Sequence, residues 1–139
     1  MIDRAPDLEV AALAALDAHR YLSLVTFRRN GQPVATPVWF ARHGRRLYVF
    51  TAASSWKVKR LRNDARIRVA PCGPRGAIRG AWIDGRGVRR DDPAIERTAY
   101  AALRAKYGLA MRVLDFFSKL AGRIDQRAIL ELEILPAQH

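Results

Sequence analysis

The sequence predicts a mainly β domain of the α+β kind, a small closed barrel of about six antiparallel strands with peripheral helices. Three observations predict it. Between Tyr21 and Ala52, segments of period-two alternation follow one another through tight turns. A short basic helix, Trp56 to Arg62, is inserted after the third of these segments. A helical pair then precedes a closing strand that alternates again from Arg127.

Each element has a local reason. From about Pro6 to Ala18, Leu8, Ala12, Leu13 and Leu16 fall on one helical stripe, giving an amphipathic helix that caps one end of the core. Tyr21 to Arg28 is rich in β-formers, and the Asn30-Gly31 pair after it favours a type I′ hairpin turn. The returning strand alternates Val34, Thr36, Val38 and Phe40 against Ala35, Pro37, Trp39 and Ala41, and the turn Arg42 to Arg45 leads into a third strand, Arg46 to Ala52. After the basic helix come a strand from Ala65 to Ala70, a loop from Pro71 to Arg79 and a strand from Gly80 to Arg89. Asp91-Asp92-Pro93 starts a helix with an acidic cap and proline in the first turn; Ile95, Ala99, Ala102, Leu103 and Lys106 form its packed stripe and Gly108 ends it. Leu109 to Leu120 is apolar through Met111, Val113, Leu114, Phe116, Phe117 and Leu120, and is expected to pack on the core or a partner subunit, or to wall a substrate entrance. In the last strand Ala128, Leu130, Leu132 and Ile134 face one way, Glu131 and Glu133 the other.

The chain has 139 residues, which is one domain by length, and its 50% apolar and 27% charged content can build a core. Cys72 is the single cysteine, so an internal disulfide and a cysteine-based zinc site are excluded; as a small apolar residue it is assigned to the core. No apolar run reaches a membrane span and the acidic N-terminus lacks a signal-peptide layout, so a cytoplasmic protein is expected. The formal charge of +12 draws polyanions: nucleic acid, anionic lipid or an acidic cofactor. The cations are dispersed along the chain instead of forming a tail, and no zinc finger, RNA-recognition or helix-turn-helix spacing is present, so nucleic acid is disfavoured. An arginine- and alanine-rich composition is also what genomic base composition alone would produce.

The stretch from Val34 to Arg62 carries the chemistry. A strand that ends in hydroxyl residues and opens onto a helix start offers free N–H groups and a positive dipole end, here with cations one turn away, which suits a phosphate. Pro37 cannot donate to a ladder, so it marks an edge, a bulge or a segment lying against a bound ring. His19, His43 and His139 sit after a helix, in a turn and at the terminus, and none reads as a buried base. Tyr21, Tyr48 and Trp82 are candidate substrate-side groups and Asp84 a candidate proton relay, each with core packing or a turn role as the simpler reading.

The order of hairpin, ATPVWF strand, LYVFTAASSWKVKRLRND strand-to-helix unit, VAPCGPRG strand and late helices before LELEI resembles the split β-barrel proteins of the pyridoxamine 5′-phosphate oxidase-like superfamily, the FMN-binding split-barrel type. The nearest likeness is to its coenzyme F420-dependent branch from actinobacteria, over Tyr21 to Leu135, within a single domain spanning 1–139. The resemblance implies a homodimer with two cofactor sites at the subunit interface. It implies that Thr51, Ser54, Ser55 and Lys57 hold the cofactor phosphate, that Lys59 and Arg60 reach the phosphate or an acidic tail, and that the backbone of Thr36, Pro37, Val38 and Trp39 runs beside the ring. Arg28, Arg29, Arg62 and Arg79 are candidates for a groove around a polyglutamate tail.

The implied activity is hydride transfer between reduced F420 and an unsaturated or quinone-like small molecule, with the cofactor carrying the chemistry and no dedicated acid, base or metal. The alternatives are an FMN-binding flavin reductase or oxidase, and a nonenzymatic binder of a cofactor, haem or a polyanion. A true pyridoxamine phosphate oxidase also needs a second phosphate site, for which the sequence offers no second cluster of hydroxyls and cations.

Overall fold

The computed structural model describes residues 5–120 and 127–136, with side chains described over 8–114 and 127–136. In chain order the elements are α1 (Ala5–Asp17), β1 (Tyr21–Phe27), β2 (Pro33–Val38), β3 (Phe40–His43), β4 (Arg46–Ala52), α2 (Trp56–Asn63), β5 (Arg66–Cys72), β6 (Ile83–Arg90), α3 (Pro93–Tyr107), α4 (Leu109–Leu120) and β7 (Arg127–Ile134). The strands form one antiparallel sheet in the order β2-β1-β5-β6-β7-β4-β3. Its two edges, β2 and β3, are joined through the single residue Trp39, so the sheet has to curl back on itself. This is a split barrel of seven strands, one more than the sequence predicts.

The extra strand comes from the segment expected to run unbroken from Val34 to Ala41. Its side chains alternate as expected, with Val38 and Phe40 inside the barrel and Trp39 and Ala41 outside it. Its partner changes midway: Val38 lies opposite Leu22 of β1, whereas Phe40 lies opposite Val49 of β4. Period-two alternation reports which face a residue takes and carries no information about which strand is hydrogen-bonded beside it. The first hairpin is a second correction. Among the described non-glycine residues none has positive φ, so Asn30 cannot occupy a type I′ turn; Gly31 alone is left-handed, at φ 86. The Gly31 N–H donates to the Arg28 carbonyl and the Arg28 N–H to the Gln32 carbonyl, which makes a three-residue loop closed by a glycine bulge. Strand ends also move: β5 continues through Pro71 to Cys72, and β6 begins at Ile83 instead of Gly80.

Two apolar layers hold the sheet. Inside, Leu22, Leu24, Phe40, Leu47, Val49, Ile67, Val69, Leu130 and Leu132 pack with Leu13 and Leu16 of α1 and with Val58 and Leu61 of α2. Leu8, assigned to the same stripe of α1, is 40% exposed. Outside, Ala99, Leu103 and Tyr107 of α3 and Met111 of α4 pack on Ala41, Tyr48 and Ile129. Asp92 caps α3 by accepting from the Ala94 N–H, Pro93 opens the helix and Gly108 closes it, as expected. Lys106, on the packed stripe of α3, sets its ammonium 3.5 Å from the centre of the Phe40 ring and 3.6 Å from Asp17, tying α3 to both the barrel and α1. On α4, Leu109 is 75% exposed, and Val113 and Leu114 are exposed beside it. The side chains of Phe116, Phe117 and Leu120, and His139, lie outside the described residues. Among those residues no helix is long and apolar enough to cross a membrane.

Tyr107 is the polar pin of the outer layer. Its hydroxyl accepts from the Phe40 N–H at 2.9 Å and points its own proton to the Arg20 carbonyl at 2.7 Å, while its ring stacks on Trp39 at 4.5 Å. Tyr107→Phe keeps the stack but leaves buried backbone groups without their partner, and is expected to cost about 1–3 kcal/mol in chemical denaturation. Burial raises the pKa of Tyr107 to about 12, and burial with the hydrogen bond to Glu131 does the same for Tyr48. A phenol raised in the native state contributes stability below its unfolded pKa of about 10 and loses it as pH rises further. Melting temperature should therefore fall between pH 10 and 12, and fall less steeply in Tyr107→Phe.

Candidate cofactor-binding site

The β4-to-α2 junction folds as its sequence dictates. Ser55 takes the extended conformation of an N-cap (φ −65, ψ 153), and its hydroxyl oxygen faces the Val58 N–H at 3.5 Å and Thr51 Oγ1 at 3.4 Å. The Ser55 N–H donates to the Ala52 carbonyl, which closes the turn through Ala53 and Ser54. Thr51, Ser54 and Ser55 are thus gathered at one helix start. Val58 and Leu61 anchor α2 inside the barrel, so the remaining faces of this one-sided helix are left to its polar residues.

Positions 56, 59, 60 and 63 share a face of α2, and that face looks across at the end of β1. Between them lies a groove of about 640 Å³ lined by Phe27, Arg28, Arg29, Trp56, Lys59, Arg60, Arg62 and Asn63. Trp56 is 69% exposed and Lys59 lies over its ring, 4.4 Å from the centre. Arg60 reaches down to Thr26, which accepts from Nε at 2.6 Å. Among the described residues five cations line this groove and no carboxylate does. Among the described residues none of the five forms an ion pair with a carboxylate. Cations elsewhere on the barrel do: Arg46 meets Glu133 at 2.9 Å, Arg90 meets Glu131 at 3.0 Å and Arg66 meets Asp64 at 2.7 Å.

The crowding shows in the pKa directions. Burial, then the charge of Arg28, lowers the Arg60 pKa; burial, then the charge of Arg60, lowers that of Lys57. Each of these groups would be relieved by an anion. An anion arriving there would meet cations with no carboxylate partner among the described residues to give up, and with the Nη groups of Arg60 still to spare beyond its bond to Thr26.

The expected site residues therefore separate into three places. Thr51, Ser54, Ser55 and Lys57 lie at the α2 start. Lys59 and Arg60 line the groove, joined there by Arg28, Arg29 and Arg62, whereas Arg79 packs beside Gly73 on another loop. Lys57 is on another face of the helix and does not line the groove. Thr36 and Pro37 lie on β2, an edge strand of the sheet, with Pro37 exposed; Val38 points into the barrel and Trp39 stacks on Tyr107. Trp56, Phe27 and Asn63 were not assigned as lining from the sequence. The spacing of 56, 59, 60 and 63 carried the signal, but the opposite wall depends on how the curled sheet brings β1 to α2. Tyr48, a candidate substrate-side group, is buried and donates to Glu131, and Asp84, the candidate proton relay, is paired with Arg68 at 3.2 Å.

No curated protein matches the sequence. Solved structures do match the fold. The conserved hypothetical protein Rv2991 of Mycobacterium tuberculosis superposes with a TM-score of 0.66 at 17% identity, covering 94% of this chain and 89% of that one. An FAD-binding protein of Mesorhizobium loti gives 0.59 at 20% identity, covering 90% and 86%. The haem storage protein HutZ of Vibrio cholerae gives 0.62 at 12% identity, covering 99% and 93%. At such identities the likeness is one of fold, shared by proteins with different ligands. A sequence-family match extends from residue 8 to residue 138, across the barrel, α2 and the groove alike, and the chain belongs to the pyridoxamine 5′-phosphate oxidase family.

Proposed function

We propose that the protein is an oxidoreductase that seats a flavin-type cofactor on α2, with coenzyme F420 as that cofactor. The observation that carries this reading is the groove of five cations with no carboxylate among its described wall residues, next to a helix start rich in hydroxyls. The donor set fits a cofactor with one phosphate and a longer anionic extension. Thr51, Ser54, Ser55 and Lys57 would take the phosphate at the α2 start; Arg28, Arg29, Lys59, Arg60 and Arg62 would take the extension. FMN ends at its phosphate and would leave those five cations unused. Haem is less well served, because among the described residues no histidine, methionine, cysteine or tyrosine lines the groove.

When bound in reduced form, the deazaflavin supplies a hydride to an unsaturated or quinone-like acceptor. The chain's part is to bind, orient and exclude water. Val58 and Leu61 fix α2 to the barrel, so the groups on its other faces are held in one geometry relative to β1. The edge strand β2, with Thr36 and Pro37, offers unpaired backbone against which a flat ring can lie. Two copies of the chain would complete each site between them, and the exposed apolar side chains of α4 suit such an assembly.

Equilibrium titration of wild type and Lys57→Ala with F420 and with FMN tests the phosphate seat. Loss of a charge-assisted phosphate contact should weaken both cofactors by roughly tenfold or more. Equal affinity of the variant and wild type for both would remove Lys57 from the site.

A further inference from the structure

Thr26 is the last inward-facing residue of β1, following Leu22 and Leu24 on that face, and it is 0% exposed. A buried hydroxyl at an apolar barrel end needs a partner, and here the partner comes from outside the sheet. Arg60 of α2 bends in and donates Nε to Thr26 Oγ1 at 2.6 Å. A guanidinium is rigid and planar, so fixing Nε fixes the plane. The side-on edge is then occupied, and the edge left for a ligand is the pair of Nη groups.

The geometry points to Thr26 as a positioning residue: by holding Arg60 Nε, it presents the guanidinium end-on to the groove as a two-point receptor for the oxygens of a carboxylate or phosphate. The inference rests on the reading of the groove as the seat of an anionic extension, and it deepens that reading. It makes recognition there depend on the direction of the Arg60 fork as well as on charge. Arg28 stands close enough to depress the Arg60 pKa, and no carboxylate wall residue offsets either one. An oxyanion between them supplies the missing counter-charge. Two chemical sources of that oxyanion are a polycarboxylate tail and a diphosphate.

The test uses small probes of the groove alone. Tetraglutamate peptide and inorganic pyrophosphate are titrated in parallel, at one low salt concentration, into wild type, Thr26→Val, Thr26→Ser and Arg60→Lys, following the fluorescence of the exposed Trp56. At least one probe should bind wild type, and the tighter one identifies the extension as polycarboxylate or diphosphate. Thr26→Val, which keeps the shape and drops the oxygen, should weaken that probe about tenfold. Thr26→Ser should restore it to within about twofold, and Arg60→Lys, which keeps the charge and drops the fork, should match Thr26→Val. Arg60→Lys reaches the same contact from the groove side, so the test survives a Thr26→Val variant that fails to fold. Wild-type affinity in Arg60→Lys, equal weakening in Thr26→Ser and Thr26→Val, or no binding of either probe would overturn the assignment. Failure of F420 to bind wild type, with the probe results as expected, would instead overturn the choice of cofactor and leave the role of Thr26 intact.

Discussion

Gly85→Ala should destabilise the barrel by about 3 kcal/mol, roughly 10 °C in melting temperature. A Cβ built on Gly85 falls on the backbone carbonyl of Glu133 in β7 and comes within 3.2 Å of Ile67 on β5. Gly85 lies opposite Ile67 on one side and Ile134 on the other, in the middle strand of β5, β6 and β7. A backbone carbonyl in a ladder cannot step aside without breaking its own pairing, so the whole strand has to shift. Gly87, two residues on and on the same face, is the internal comparison. Its added Cβ would meet only side-chain carbons of Leu132, Ile67 and Leu61, at 3.1 to 3.3 Å. Those can yield by a few tenths of an ångström, so Gly87→Ala should cost less than half as much. Thermal melts of the two variants check the order; equal losses would mean that the curl is looser than described.

Arg28→Glu should weaken F420 by roughly 30- to 100-fold while leaving melting temperature within a few degrees of wild type. The side chain lines the groove, is exposed, and forms no ion pair with a carboxylate among the described residues, so the fold loses little with it. The new carboxylate stands among Arg29, Lys59, Arg60 and Arg62 and would pair with them in place of the proposed ligand. It also removes the like-charge pressure on Arg60. FMN, whose phosphate would end at the α2 start in the proposed arrangement, should lose less than about fivefold under the same conditions. Titration of both cofactors at fixed salt reads the contrast, and equal losses for the two would place their binding in the same pocket.

Most of the fold was legible because its elements are locally over-determined. Asp92-Pro93 and Gly108 bound α3, the Ser55 cap starts α2, and alternation assigns β7 its faces. The missing strand was hidden because Trp39 interrupts the pairing without interrupting the alternation. The hairpin at Asn30 was misread because the Asn-Gly pair also serves a bulged three-residue loop, in which Asn30 caps the turn by accepting from the Gln32 N–H. The candidate site was legible on its local half only. Ser55, Lys57, Lys59 and Arg60 follow from one continuous stretch of chain. Thr26, Phe27, Arg28 and Arg29 join them across 34 residues of separation between Thr26 and Arg60, through sheet closure that no local pattern encodes. That the groove cations lack carboxylate partners among the described residues was also beyond the sequence, since Arg66 and Arg90 look the same there and prove to have them.

The most direct measurement is a competition experiment on the wild-type protein, in which FMN is displaced by F420 at physiological salt. F420 should displace FMN at least tenfold more effectively than FMN displaces itself, because in the proposed arrangement only F420 would engage the five groove cations. Displacement by F420 no better than by FMN, or only at low salt, would contradict the assignment of the groove and return FMN to first place as the cofactor.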